Sequence, residues 1–246
     1  MIGVNPFQES EQLAKLFCNY LQNLSLEEPT LKRFVKTLSR MDYSNKRDCK
    51  TVAQPAVLKN ALVRIRHSEK STDELLNFSL RISLSLNWTK IYDSMDRDLS
   101  YVDGMFASRI LGLDGYFINN NLSMGEMLLL PGVTYPLHTH NVDEVYYCLS
   151  GTLEIYHGIE GEFTVLKSGS VSITPQGQLH ELKVKGSKPV LLIYCWLGDL
   201  RAPIWVWNKL QNHTWERTLW QRIPGKSWKL KLREPVSEAL LLDFQK

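Results

Sequence analysis

The stretch YPLHTHNVDEVYYCLSG (Tyr135–Gly151) holds two of the chain's six histidines one residue apart, a glutamate four residues after the second, and three tyrosines around them. On a strand, side chains two apart share a face, so His138 and His140 project together, and a nearby turn or strand brings Glu144 alongside. A second block follows, reading Gly169, five residues, Pro175, one residue, Gly177, two residues, His180. Its glycines and proline let the chain bend back, so His180 arrives from a separate strand. Three imidazoles and one carboxylate then converge. Such a mixed nitrogen and oxygen set suits one divalent ion of zinc, iron, manganese, cobalt or nickel and leaves coordination positions open.

The texture around these blocks is that of an all-β region. After Gly104 the chain breaks into short runs of β-branched, leucine and aromatic residues, punctuated by NNN at 119–121, PG at 131–132 and SG at 150–151. Seven or more short strands in roughly a hundred residues suit a sandwich or small barrel.

The first hundred residues read differently. Asn5 is placed to cap a helix with Pro6 at its first position. Leu13, Leu16, Phe17, Tyr20, Leu21 and Leu24 recur at helical spacing, as do Leu31, Phe34, Val35 and Leu38 behind Pro29, and Val57, Leu58, Ala61, Leu62 and Ile65. Between Leu76 and Trp88 two signals conflict, since Ser71 and Glu74 form a capping box while the apolar residues alternate as in a strand. The cap and the three preceding helices favour a fourth helix. The expected division is a helical segment, 1–103, packed on a β-barrel domain, 104–246.

Composition narrows the partners. A net charge of +3, with no long basic run, argues against nucleic acid. Cys18, Cys49, Cys148 and Cys195 are widely spaced without a CxxC pair and read as buried free thiols. No apolar stretch is long enough to cross a bilayer, and the N-terminus lacks the pattern of a secretory leader, so the expected location is the cytoplasm. The helical segment offers a surface for homodimer formation.

The two histidine blocks, 132–180, resemble the two cupin motifs, which implies an all-β cupin (jelly-roll) barrel with an α-helical N-terminal segment and a metal inside. The resemblance implies His138, His140, Glu144 and His180 as ligands. An asparagine often found four residues after the last histidine is Val184 here, which is not a ligand position. His67, His157 and His213 lack ligand spacing and read as surface or packing residues.

The tyrosines narrow the chemistry. Tyr146, two residues after Glu144, shares its strand face and points at the metal, while Tyr135 stands where the histidine strand begins. A nearby cation favours the phenolate, so Tyr146 is a candidate base. Tyr147 and Tyr156 read as barrel filling.

With a helical segment ahead of the barrel and Trp196 in IYCWLGD, this pattern resembles the cupin dimethylsulfoniopropionate lyases, at Tyr135, His138, His140, Glu144, Tyr146 and His180. The resemblance implies β-elimination of a small zwitterion to dimethyl sulfide and acrylate. Tyr146 and Tyr135 are its catalytic candidates, and Tyr135 and Trp196 would grip the sulfonium cation. Core packing explains Trp196 equally well. Trp205, Trp207, Trp215, Trp220 and Trp228 read as packing or outer surface.

Glu126, Glu154 and Glu181 read as solvated strand faces. Asp199 and Arg201 read as turn residues, with Arg201 able to bind a carboxylate at the barrel mouth. Two rival functions remain: an iron(II) cupin oxygenase using the same ligands, and a non-catalytic cupin that binds a small molecule.

Overall fold

The computed structural model describes residues 5–25, 27–47, 53–68, 72–92, 103–159, 161–223 and 228–244. Four helices lead: α1 (Pro6–Leu24), α2 (Pro29–Ser39), α3 (Ala56–Ser68) and α4 (Glu74–Ile82). Asn5 caps α1 by accepting the Phe7 N–H at 3.1 Å, with Pro6 first in the helix. Leu13, Phe17 and Leu21 form its fully buried stripe. For α4 the cap is Asp73, which accepts the Leu76 N–H at 2.9 Å; Ser71 lies outside the described residues. The apolar alternation after Leu76 belongs to a helix enclosed on most sides, with Leu75, Leu76, Phe78, Leu80 and Ile82 all buried. Strand structure begins at Trp88, inside the segment assigned above to helices.

Fifteen strands and a last helix follow: β1 (Trp88–Lys90), β2 (Met105–Ser108), β3 (Leu111–Gly112), β4 (Phe117–Ile118), β5 (Leu122–Leu129), β6 (Thr134–His140), β7 (Val142–Ser150), β8 (Thr152–His157), β9 (Phe163–Lys167), β10 (Val171–Thr174), β11 (His180–Val184), β12 (Val190–Gly198), β13 (Ile204–Lys209), β14 (Trp215–Arg222), β15 (Trp228–Pro235) and α5 (Glu238–Asp243). One sheet runs β1-β2-β5-β12-β7-β10, with β3 and β4 beside β5. The other runs β15-β14-β13-β6-β11-β8-β9.

Strand periodicity assigns the faces. In β7, Tyr146 and Cys148 join the core shared by both sheets, while Val145, Tyr147 and Leu149 join the core under the helices. In β12, Val190, Leu192, Tyr194 and Trp196 face inward, and Leu191, Ile193 and Cys195 face the helices. Leu182 and Val184 of β11 close the interior from the opposite sheet. The first sheet is thus covered on both sides, by the barrel interior and by α1–α4. Tyr147 packs edge-on against Phe17 and Tyr20 at 6.1 Å, and so fills the helix contact rather than the barrel.

Two other expectations need correcting. Glu126 is fully buried against α4, not on a solvated face. Tyr156 is half-buried on the outer face, where it donates to Glu154 at 2.8 Å and lies under the Lys183 ammonium at 4.4 Å. Glu154 and Glu181 do lie outward and pair with lysines. Cys18 and Cys195 are buried and free, and Cys148 is buried; Cys49 lies outside the described residues.

Candidate metal centre

Strict alternation would put Tyr135 and His138 on opposite faces of β6, because they are three residues apart. A bulge removes the conflict. Opposite β11, His180 pairs with His138 but Leu182 pairs with Tyr135, so β6 holds one extra residue around Pro136. A proline is tolerated there because a bulge releases a ladder hydrogen bond. The consequence is that Tyr135 and His138 both face inward, their rings stacked at 3.8 Å and 11°.

His138, His140, Glu144 and His180 meet inside the barrel with ligand atoms all within 4.8 Å of one another. None is more than 5% exposed. Each imidazole is held by its other nitrogen: Nδ1 of His138 donates to the Pro136 carbonyl at 2.8 Å, that of His180 to Gln178 at 3.0 Å, and that of His140 to Val142 at 3.1 Å. A carbonyl only accepts, so each Nδ1 carries a hydrogen and each ring turns its Nε2 into the cluster. Backbone carbonyls in this role fix ring and tautomer for a metal.

The inward atoms are close enough to share one positive charge. The Nε2 of His138 is buried without a hydrogen-bond partner. Oε2 of Glu144 lies 3.0 Å from the His140 Nε2 and 3.2 Å from the His180 Nε2. Nitrogen and carboxylate oxygen at these distances need a positive charge between them, carried by a proton or by a metal ion. Burial, reinforced by the neighbouring imidazoles, pushes the His138 pKa well below its ordinary value. Burial also lowers His180, against the pull of Glu144. For Glu144, burial acts upward, but His140 and His180 outweigh it and hold the carboxyl well below the usual range. Three imidazoles around one carboxylate fit a single metal ion that displaces any shared proton.

Trp196 is tied to the cluster directly. It sits opposite Glu144 in the β12–β7 register, and its indole N–H donates to Glu144 Oε1. Its ring lies 4.8 Å from that of His140. The tryptophan therefore orients the Glu144 carboxylate, a contact beyond the cation grip expected for it. Tyr146, opposite Tyr194 in the same register, is buried beside Glu144. Burial first, then donation to the Glu144 carboxylate, push its pKa well above 10. The Tyr135 hydroxyl is hydrogen-bonded to that of Tyr92.

These side chains border a cavity that reaches Glu144, Tyr135, Tyr146 and Trp196. Its remaining wall includes Arg109, Met127, Tyr194, Arg222 and Trp228, none of which the motifs pointed to. Tyr194 had a readable signal, two residues before Trp196 on the same strand face. Trp228, expected in packing or on the outer surface, has its ring 6.2 Å from that of Trp196. His67 is exposed, His157 lies 3.3 Å from the Thr174 hydroxyl, and His213 occupies a turn with φ 65°. None of the three joins the cluster.

Two antiparallel sheets closed around three imidazoles and a carboxylate define a cupin barrel whose interior fits one metal ion. Residues 28–192 match the sequence model of the dimethylsulfoniopropionate lyases, and the chain belongs to that family.

It is 26% identical over 119 residues to dimethylsulfoniopropionate lyase DddQ of Ruegeria pomeroyi, 48% of this chain and 58% of the relative. It is 27% identical over 120 residues to DddL of Cereibacter sphaeroides, a candidate lyase for the same compound, 48% of this chain and 47% of the relative. The matched stretch thus spans about half the length of these relatives. The crystal structure of R. pomeroyi DddQ shares the fold, with a TM-score of 0.60 at 19% identity over 80% of this chain and 95% of that one. A gentisate 1,2-dioxygenase of a Ralstonia species matches 102 residues at 29% identity, 42% of this chain and 27% of the relative. Among the described residues no helix is long and apolar enough to cross a membrane.

Proposed function

We propose that the chain is a carbon–sulfur lyase that cleaves dimethylsulfoniopropionate to dimethyl sulfide and acrylate, with Tyr146 as general base. The observation that carries this reading is the shared cavity: a buried phenol, the Glu144 carboxylate of the metal-ligand set and aromatic walls line one space. A divalent ion held by His138, His140, Glu144 and His180 would supply Lewis acidity, which favours the phenolate of a neighbouring tyrosine.

The Tyr146 oxygen takes the proton from the carbon next to the carboxylate. The electron pair of that C–H bond becomes the new double bond, and the C–S bond breaks with its pair leaving on sulfur. Acrylate and neutral dimethyl sulfide result, and the proton stays on Tyr146 until solvent removes it. Tyr135 lines the wall at its hydrogen bond to Tyr92, which fixes where its ring faces the substrate. The sulfonium accepts and donates no hydrogen bond, so ring faces are its natural contact, at about 0.5–2 kcal/mol each. Trp196 and Tyr135 offer such faces. With the buried thiols of Cys18 and Cys195 unpaired, we place the protein in a reducing cytoplasm.

Purified protein supplied with zinc, iron, manganese, cobalt or nickel in turn, then given the substrate, should release acrylate and headspace dimethyl sulfide in equal amounts. Tyr146→Phe should lower turnover at least 100-fold with metal content unchanged. Oxygen uptake in place of acrylate would favour the oxygenase reading suggested by the dioxygenase match. Binding without turnover under every metal would favour a non-catalytic cupin.

A further inference from the structure

The cavity carries two guanidinium groups that the reaction above leaves unused. β14 places Trp220 in the barrel interior, and Arg222, two residues on, continues that face to the cavity wall. From the other sheet, Met105 and Ala107 of β2 face inward, and Arg109 continues their alternation. Gly125 lies beside this group, where the Tyr194 ring crosses to give its hydroxyl to the Ser108 carbonyl at 3.1 Å.

The Arg222 side chain is 6% exposed, and its Nε and Nη1 have no hydrogen-bond partner. Asp114 is near but shared: its Oδ2 stands 3.6 Å from the Arg222 Nε, while its Oδ1 takes Arg47 at 3.0 Å. Arg109 gives one N–H to the Thr89 hydroxyl at 2.9 Å. Among the described residues, the one carboxylate lining the cavity is Glu144, and the metal site claims it. Burial, then the charge of Arg109, lower the Arg222 pKa from its ordinary value. A buried guanidinium with unmet N–H donors and a second cation nearby is unfavourable until an anion meets it.

We propose that Arg222, backed by Arg109, is the carboxylate-recognition residue of this cavity: its unmet donors bind the anionic end of a short-chain acid and reject sulfonium compounds that lack a carboxylate. The identity of the acid rests on the lyase reading, while the anion subsite stands on the geometry. The sequence offered Arg201 for this task. It lies exposed, bonded to Asn120 at 3.0 Å on the outer surface.

The test uses metal-loaded protein and propionate, the three-carbon acid without a leaving group, followed by calorimetry and by the fluorescence of the cavity tryptophans. Propionate should bind one per chain. Arg222→Met should weaken it roughly 10- to 100-fold, as expected for a lost charge-assisted hydrogen bond, and Arg222→Lys by less, since it keeps the charge but not the planar fork. Arg201→Met should bind as wild type. With the lyase substrate, Arg222→Met should raise KM by the same factor, with kcat and metal content near wild type.

Wild-type propionate affinity in Arg222→Met overturns the proposal. If that variant fails to fold, unchanged affinity in Arg222→Lys overturns it instead. A wild-type protein that binds propionate through Arg222 yet forms no acrylate defeats the lyase reading and supports the subsite.

Discussion

Glu126 makes a sharp thermodynamic prediction because its surroundings have room for one proton. The carboxyl is fully buried between β5 and α4. The Ser79 hydroxyl donates to Oε1. The Ser83 oxygen lies 2.7 Å from both Oε2 and the Ser79 carbonyl, yet it has a single hydrogen to give. If that hydrogen goes to the carbonyl, which can only accept, Oε2 must carry its own proton and donate to Ser83. Burial pushes the Glu126 pKa up from 4.5 to about 7, with the two serines partly opposing it.

The sign follows from proton counting. Between about 4.5 and 7 the folded chain holds a proton that the unfolded chain has released, so stability falls as pH rises through that window. The loss is complete above about pH 7. At about 1.4 kcal/mol per pH unit it amounts to about 3 kcal/mol.

Urea unfolding of wild type and Glu126→Gln at pH 5, 6, 7 and 8 reads the effect. The metal ligands and every other titrating group are shared, so they cancel in the difference between the two proteins. The amide keeps the size and a donor, so the pair should differ little at pH 5. By pH 8 the glutamine protein should have gained about 2–3 kcal/mol on wild type. A difference that stays flat from pH 5 to 8 refutes the reasoning.

Other substitutions probe the site. His138→Ala and His180→Ala should each reduce bound metal from one per chain to near zero by elemental analysis, because each removes a buried Nε2 from the ligand set. Trp196→Phe keeps an aromatic wall but loses the N–H that holds Glu144 Oε1, so chelator competition should show metal affinity lowered roughly 10- to 100-fold. Gly125→Ala should destabilise the fold by more than about 2 kcal/mol in urea, since its methyl would lie 2.0 Å from the Ser108 carbonyl oxygen in the neighbouring strand.

What the sequence showed plainly was the cluster of His138, His140, Glu144 and His180. His138, His140 and Glu144 lie on adjoining strands, and one further motif brings His180, so short-range spacing carries nearly the whole argument. Three features escaped it because each depends on pairing between distant strands. The inward turn of Tyr135 needs the extra residue in β6, which shows only in the β11 register. The bond from Trp196 to Glu144 needs the β12–β7 register, so the sequence could list the tryptophan only as a ring. Glu126 alternates out of the barrel as expected, but outward on this sheet means under α4, and no pattern within β5 reveals a covering helix.

The same logic locates specificity outside the motifs. The cluster and, on the proposed reading, Tyr146 carry the chemistry, and they come from two short blocks. The far wall comes from strands on either side: Arg109 follows β2, Arg222 ends β14, and Trp228 begins β15. Barrels with the same histidine blocks can therefore hold the same ion and still select different substrates, because the side chains that meet the substrate's remote end are set by other segments. Exchanging Arg222 should then alter which acids enter while leaving the ion in place, whereas exchanging His180 should remove the ion whatever lines the wall.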